Sequence, residues 1–278
     1  MTRLPLGISQ FDSMIGGGVP AGSVVLLAGE PGAGAREFGY TSAVVNGLAS
    51  VDDDLFDLYY GDVADAAEVV PEVHYLSFTQ EPAALVEEMR FVMADELVDA
   101  GVDAVTLVDF SKEYFQLTPV PTEWYADRTA DITELGNDQE RGEILTALGE
   151  YLSVAAPGNL VVVDSVTDLL AVEHERITPA MVSVLVKGLS RAAYQWGGTI
   201  LLLASVEPLS ETVLGRLKDA SDGTLLFQWE SGGSERARTL VVESFRGVLS
   251  RLEDENIVRF ETEIHDAGFD ISNVRKIR

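Results

Sequence analysis

A short glycine-rich segment carries the pattern of residues best suited to hold a phosphate group. Gly29 and Gly34 stand at the first two fixed positions of the phosphate-loop pattern G-x-x-x-x-G-K-[ST]. In such a loop, successive backbone N–H groups cradle the phosphates, the lysine ammonium reaches the terminal ones and the hydroxyl binds Mg²⁺. Here Ala35 offers no charge and Arg36 cannot ligate a metal cation. The sequence therefore predicts a phosphate cradle that lacks its lysine and its metal-binding hydroxyl.

The elements around this loop are those that place a phosphate at a helix end. Residues 24–28 form a short, continuous apolar run, which is typical of a strand buried on both faces of a parallel sheet. Residues 34–48 are predicted to form a helix, so the loop lies at a strand-to-helix turn. A helix N-terminus directs free N–H groups and the positive end of its dipole at an anion. This context favours phosphate binding more than the two glycines do alone.

Apolar runs of strand length alternate with stretches of helical period along most of the chain. Strands are predicted at 24–28, 73–78, 104–109, 160–164 and 199–205, with helices at 83–100 and 179–196 among the intervening segments. This order is typical of an α/β fold with a mainly parallel central sheet and helices on both faces. Strands at 223–229, 238–245 and 256–261 predict an antiparallel C-terminal extension. We predict a single domain over residues 1–278, with surface-loop insertions at about 51–70, which is acidic, and at about 117–137.

Several motifs in this order resemble one known family. Residues 5–12 (PLGISQFD) and 16–23 (GGGVPAGS) precede the loop strand, residues 160–165 (LVVVDS) include the end of a later strand, and Phe245-Arg246-Gly247 lies near the C-terminus. Together they are similar to the corresponding motifs of RecA-superfamily ATPases of the KaiC type. The resemblance covers nearly the whole chain apart from the two insertions, and it implies a RecA-like phosphate-loop fold.

The resemblance implies nucleotide contacts along the whole loop and at one aspartate. The residues concerned are Gly29, Glu30, Pro31, Gly32, Ala33, Gly34, Ala35, Arg36, Glu37 and Asp164. Of these, Asp164 would hold Mg²⁺ through water. Arg36 leaves two interpretations open: it grips a phosphate with its guanidinium, or it lies on the surface or pairs with Glu37 or Glu30. We favour the second, because the family side chain at this position is short and points at the metal.

The positions that carry catalysis in the family are altered in this chain. There, the strand after the loop helix ends in two glutamates, one of which polarises the attacking water, whereas Thr79 and Gln80 stand at that place here. A lysine of the family's C-terminal arm is replaced by Ser244, while Arg246 is kept. The altered positions are therefore Ala35, Arg36, Thr79 with Gln80, and Ser244. We predict no catalytic residue and lost hydrolysis, with ATP or ADP and Mg²⁺ bound weakly or not at all.

The composition restricts the partners and the compartment. The chain carries 46 Asp and Glu residues against 19 Lys and Arg, a formal net charge of −27, which disfavours direct contact with nucleic acid or an anionic membrane. So acidic and lysine-poor a composition is typical of proteins adapted to molar salt, as in halophilic archaea. The absence of cysteine excludes disulfides and thiolate metal sites, and no apolar run approaches the roughly 18 residues of a membrane span. We therefore expect a cytoplasmic protein.

The residues are compatible with three functions. We expect a non-hydrolysing KaiC-like module that acts in signalling or regulation by binding a protein partner or further copies of itself. An atypical, weak ATPase would instead use Arg36 on the phosphates or receive a catalytic residue from another chain. An accessory subunit of a recombination-type ATPase assembly would act on DNA only indirectly, because the chain lacks a basic stripe.

Overall fold

The computed structural model describes residues 2–125, 144–172, 177–232, 235–254 and 257–276. Its strands are β1 (Arg3–Leu4), β2 (Val19–Pro20), β3 (Val24–Gly29), β4 (Val73–Ser77), β5 (Val105–Asp109), β6 (Leu160–Asp164), β7 (Thr199–Ser205), β8 (Gly223–Gly232), β9 (Glu235–Phe245), β10 (Ile257–His265) and β11 (Gly268–Lys276). Its helices are α1 (Ser9–Ile15), α2 (Ala35–Leu48), α3 (Asp53–Tyr59), α4 (Pro82–Arg90), α5 (Asp95–Val102), α6 (Ser111–Phe115), α7 (Ile144–Ala155), α8 (Val166–Ala171), α9 (Pro179–Trp196), α10 (Glu211–Ala220) and α11 (Leu249–Asp254), and a 3₁₀ turn spans Thr122–Trp124.

Nine of the described strands form one sheet in the order β11-β10-β9-β8-β3-β7-β6-β4-β5. The six strands β8-β3-β7-β6-β4-β5 are parallel to their neighbours. Strands β8, β9, β10 and β11 form an antiparallel meander at the other end of the sheet. β3 lies between β7 and β8, so both of its edges are hydrogen-bonded, in agreement with its continuous apolar sequence. The predicted α/β fold, with a mainly parallel sheet and an antiparallel C-terminal extension, is confirmed.

The side chains of β3 alternate between two apolar layers, one on each face of the sheet. Val25 and Leu27 belong to the layer that includes Phe38 of α2, whereas Val24 and Leu26 belong to the layer packed against α9. Helices therefore cover both faces. Because β3, β4 and β6 are parallel, their carboxyl ends lie at the same edge of the sheet, and this edge carries the glycine-rich loop.

The helix predicted over residues 83–100 is divided in two, so that prediction was wrong. α4 ends at Arg90 and α5 begins at Asp95. Between them the Ala94 N–H donates to the Asp266 carbonyl at 2.8 Å, and Met93 forms a β-bridge with Ala267. The turn between β10 and β11 thus accepts the Ala94 N–H, which a continuous helix would bond to the Arg90 carbonyl. The apolar side chains still recur with a helical period across the break, because those of both helices are buried in the layer that includes Phe38.

The acidic insertion is not the surface loop that its composition predicted. Asp52 caps α3, with its carboxylate accepting the Leu55 N–H at 3.0 Å, and Phe56, Tyr60 and Val70 are buried against the α2 layer. The aromatic side chains supply the apolar face, and the aspartates lie at the helix start, where the dipole favours them. Of the second insertion, residues 117–125 are described; the rest of it lies outside the described residues.

The long helix α9 forms over the predicted residues. The Thr178 hydroxyl accepts the Met181 N–H at 3.3 Å, and Pro179 occupies the first turn. The buried side of α9 packs on the sheet, while Lys187 and Arg191 lie on its exposed side. Among the described residues, no helix combines the length and the apolar character that crossing a membrane requires.

Candidate functional site

The glycine-rich loop joins the carboxyl end of β3 to the start of α2. Gly32 and Gly34 have φ values of +71° and +111°, in the region that favours glycine. A Cβ atom on Gly34 would also lie 2.8 Å from the Phe269 ring of β11. Glycine is therefore required at position 34 for two reasons: the backbone has a positive φ there, and the hairpin of β10 and β11 leaves no room for a Cβ atom.

Strands β8 and β9 hold the loop through side chains that the sequence did not reveal. The Glu30 carboxylate accepts the Trp229 N–H at 3.1 Å, and the Trp229 indole N–H donates to the Pro31 carbonyl at 3.0 Å. Arg238 donates from Nε to the Gly32 carbonyl at 2.9 Å and lies 4.7 Å above the Trp229 ring. These bonds attach the loop to the antiparallel part of the sheet.

The first turn of α2 keeps the free N–H groups of a phosphate cradle. The Phe38 N–H closes the first helical bond with the Gly34 carbonyl at 2.9 Å, and the Ala33 N–H donates to the Glu30 carbonyl at 3.0 Å. Within the part of the chain that the structure describes, the N–H groups from Gly34 to Glu37 have no acceptor. Four unpaired donors are normal at a helix start and can bind an anion.

Arg36 pairs with Asp164, a partner that neither sequence interpretation included. Its Nε lies 3.1 Å from Oδ2 of Asp164, and its Nη2 donates to Oδ1 at 3.1 Å. The Tyr75 hydroxyl donates to the same carboxylate at 2.8 Å. Burial disfavours the cation, but the Asp164 carboxylate outweighs it and raises the pKa of Arg36, so the guanidinium stays charged. The expected pairing with Glu30 or Glu37 was wrong, because Asp164 is the buried carboxylate and needs a counter-charge.

This ion pair engages the carboxylate on which Mg²⁺ was predicted to be held through water. Both carboxylate oxygens already accept hydrogen bonds, and a divalent cation there would meet the guanidinium charge. The described residues also include no cluster of three His, Asp or Glu side chains that could hold a metal ion. With the Arg36 guanidinium bound to it, the Asp164 carboxylate does not fit Mg²⁺.

The cavity beside the loop is also poorly matched to a polyphosphate. It has a volume of about 310 Å³ and is lined by the loop, Arg36 and residues at the ends of β6 and β7. Glu30, Glu37 and Asp164 contribute three negative charges against one positive charge from Arg36. A formal charge of −2 opposes anion binding, although the N–H donors of the cradle remain.

At the position that the family resemblance gives to the water-activating glutamates, Gln80 forms a hydrogen bond through its side-chain amide. The Ser77 hydroxyl accepts the Thr79 and Gln80 N–H groups at 3.3 and 3.0 Å, which turns the chain away from β4. The Gln80 side-chain amide and the Tyr40 hydroxyl both donate to Glu88 of α4. Glu88 was not predicted from the sequence, because it lies on α4, 48 residues from Tyr40, and contacts it only in the fold.

The arm residues Ser244 and Arg246 lie far from the loop. Ser244 pairs with Thr224 at the start of β8, and Nη1 of Arg246 is 3.6 Å from Asp222, which in turn accepts the Val24 N–H at 3.0 Å. This is the amino edge of the parallel strands, and the length of β3, about 20 Å, separates it from the loop. Within one chain, the structure does not bring these residues to the phosphate cradle.

Comparison with known proteins identifies the fold. No protein-family model matches the sequence, and no curated protein is significantly similar to it. A solved structure of a KaiC-like protein from the hyperthermophilic archaeon Pyrococcus horikoshii aligns with it at a TM-score of 0.59 and 18% identity, covering 98% of this chain and 99% of that chain. At this identity the likeness shows the fold alone, and the chain has the RecA-type fold of KaiC-like proteins.

Proposed function

We propose that this protein is a non-hydrolysing KaiC-like module that acts in signalling or regulation by binding a protein partner or further copies of itself. The ion pair between Arg36 and Asp164 is the observation that carries this proposal. A guanidinium takes the place that the family resemblance gives to Mg²⁺, so the carboxylate is neutralised without metal. We further propose that the protein works in the salt-rich cytoplasm of a halophilic archaeon, as its net charge of −27 suggests.

The altered positions are expected to lower both the affinity for nucleotide and the rate of hydrolysis. Losing the charge-assisted hydrogen bonds of a loop lysine costs on the order of 1.5–3 kcal/mol, or about one to two decades of nucleotide affinity. Losing a positioned base costs a further factor of about 10²–10⁴ in rate. The Gln80 amide cannot act as that base, and its hydrogen bond to Glu88 holds it away from the role. Together these losses support a binding module over an ATPase.

Steady-state ATP hydrolysis tests the proposal directly. In molar KCl with Mg²⁺, we expect the wild type and Asp164→Ala to release phosphate at the same background rate. Hydrolysis above background that Asp164→Ala abolishes would contradict the proposal and favour the atypical ATPase.

Binding of a fluorescent ATP analogue tests whether the loop binds nucleotide and whether Arg36 contributes to the affinity. We expect weak or no binding to the wild type, and a gain of Mg²⁺-dependent binding in the double variant Ala35→Lys with Arg36→Thr, which restores both missing side chains and frees Asp164. Micromolar binding to the wild type that falls sharply in Arg36→Ala would show instead that Arg36 serves the nucleotide. That outcome would favour the second candidate, a weak ATPase that uses Arg36 on the phosphates.

A further inference from the structure

A second and larger cavity lies at the amino edge of the sheet, opposite the loop. It has a volume of about 590 Å³ and is lined in part by Gly22, Lys187, Arg191, Tyr194, Asp222 and Arg246. A smaller cavity of about 230 Å³ shares Lys187 and Asp219 with it and adds Val184 and Arg216. We call the two together the α9–α10 groove, because most of their lining residues come from these helices.

The α9–α10 groove is positively charged in a strongly acidic chain. Its four cations are Lys187, Arg191, Arg216 and Arg246, and its two anions are Asp219 and Asp222. Lys187 binds Asp219 at 2.8 Å, and Arg246 lies 3.6 Å from Asp222. Arg191 and Arg216 have no ion-pair partner among the described residues. The groove therefore keeps two uncompensated positive charges, whereas the cavity at the loop has a charge of −2.

Apolar side chains continue the groove along the exposed side of α9. Met181, Val184 and Tyr194 are exposed and lie on the same side of the helix as Lys187 and Arg191, at steps of three or four residues. The core does not require them, because the opposite side of α9 fills the apolar layer on the sheet. A single exposed apolar residue is ordinary, but here three adjoin a cationic groove.

We propose that the α9–α10 groove binds a short segment of a partner protein that is rich in Asp or Glu and carries apolar side chains. This rests on the proposed function, since it names the surface and the chemistry of the partner. The uncompensated arginines would pair with carboxylates, and Val184 and Tyr194 would cover the apolar side chains of the segment. A nucleic acid fits less well, because its evenly spaced phosphates would extend beyond four cations into an acidic surface.

Peptide binding measured without nucleotide tests this inference. The probe is a fluorescein-labelled peptide of about ten residues, mostly glutamate with two leucines, and its partner probe carries glutamine in place of glutamate. We expect saturable anisotropy with the glutamate peptide and at least tenfold weaker binding of the glutamine peptide. Arg191→Glu should weaken binding of the glutamate peptide at least tenfold, and Arg191→Glu with Arg216→Glu should abolish it.

Lys112→Glu is the matched control, because it makes the same change of charge at an exposed site on α6. It should change the affinity less than twofold, and circular dichroism should show that every variant is folded. Equal losses in Lys112→Glu and Arg191→Glu would overturn the inference, since the net charge alone would then explain binding. Equal affinity for a DNA oligonucleotide of similar length would also overturn the inference. A dimer in sedimentation that Arg191→Glu disrupts would overturn it as well, because the groove would then bind a second copy of the chain. If the glutamate peptide does not bind and the protein does not hydrolyse ATP, the proposal for the α9–α10 groove is refuted, while the proposed non-hydrolysing module is not.

Discussion

Replacing Arg36 by alanine tests the ion pair on which the proposed function depends. With Arg36 in place the Asp164 side chain is 5% exposed, and the substitution leaves the Tyr75 hydroxyl as the hydrogen-bond donor to its carboxylate among the described residues. Removing one partner of a fully buried ion pair costs about 3–5 kcal/mol. Because the Arg36 side chain is 47% exposed, solvent already screens part of the attraction. We therefore expect the free energy of unfolding to fall by about 2 kcal/mol and the melting temperature by about 4–8 °C.

A double-mutant cycle in denaturant isolates the pair from other effects of the substitution. Asp164→Asn removes the charge but keeps an acceptor for the Tyr75 hydroxyl, so the double variant with Arg36→Ala leaves no uncompensated buried charge. Its destabilisation should be smaller than the sum of the two single effects by about 1–2 kcal/mol. Arg90→Ala, which breaks exposed ion pairs with Glu87 and Asp99, is the control and should not change the melting temperature measurably. Additive effects, or a stable Arg36→Ala variant, would refute the reasoning.

Asp12, Gly34 and the net charge give three further predictions. Burial raises the pKa of Asp12 from 3.8 to about 7, so the folded state holds its proton more tightly, and stability should fall as the pH rises from about 4 to about 7. Urea titrations should show the wild type losing about 3 kcal/mol relative to Asp12→Asn over this range. In thermal melts Gly34→Ala should cost about 2–3 kcal/mol through positive φ and contact with Phe269, whereas Gly149→Ala, with open space in α7, should be neutral or stabilising. Raising KCl from about 0.1 M to about 2 M should raise the melting temperature by screening like charges; a melting temperature independent of KCl would contradict the proposed halophilic origin.

Most of the sheet could be predicted from the sequence, because burial on both faces leaves a local pattern. The apolar runs that became β3, β6 and β7 and the capped helix α9 all formed within a residue or two of the predicted bounds. Strand β11, which pairs with the adjacent β10, was not predicted. Two other errors occurred where a distant segment competes for the backbone or the side chains. The carbonyl of Asp266 draws Ala94 out of a helix, and the α2 layer buries Phe56 of an acidic segment. No local period records such contacts.

For the candidate site, the sequence by itself determined that no lysine, Ser/Thr hydroxyl or pair of glutamates stands at the positions where the family resemblance expects them. Only the tertiary structure decided what replaces them. Arg36 and Asp164 are 128 residues apart, and they meet because parallel strands bring their carboxyl ends to one edge of the sheet, where a buried carboxylate requires the nearest cation. The α9–α10 groove likewise is lined by residues that are as far apart in the sequence as Gly22 and Arg246. Its positive charge arises because the packing of the two helices brings their cationic side chains together.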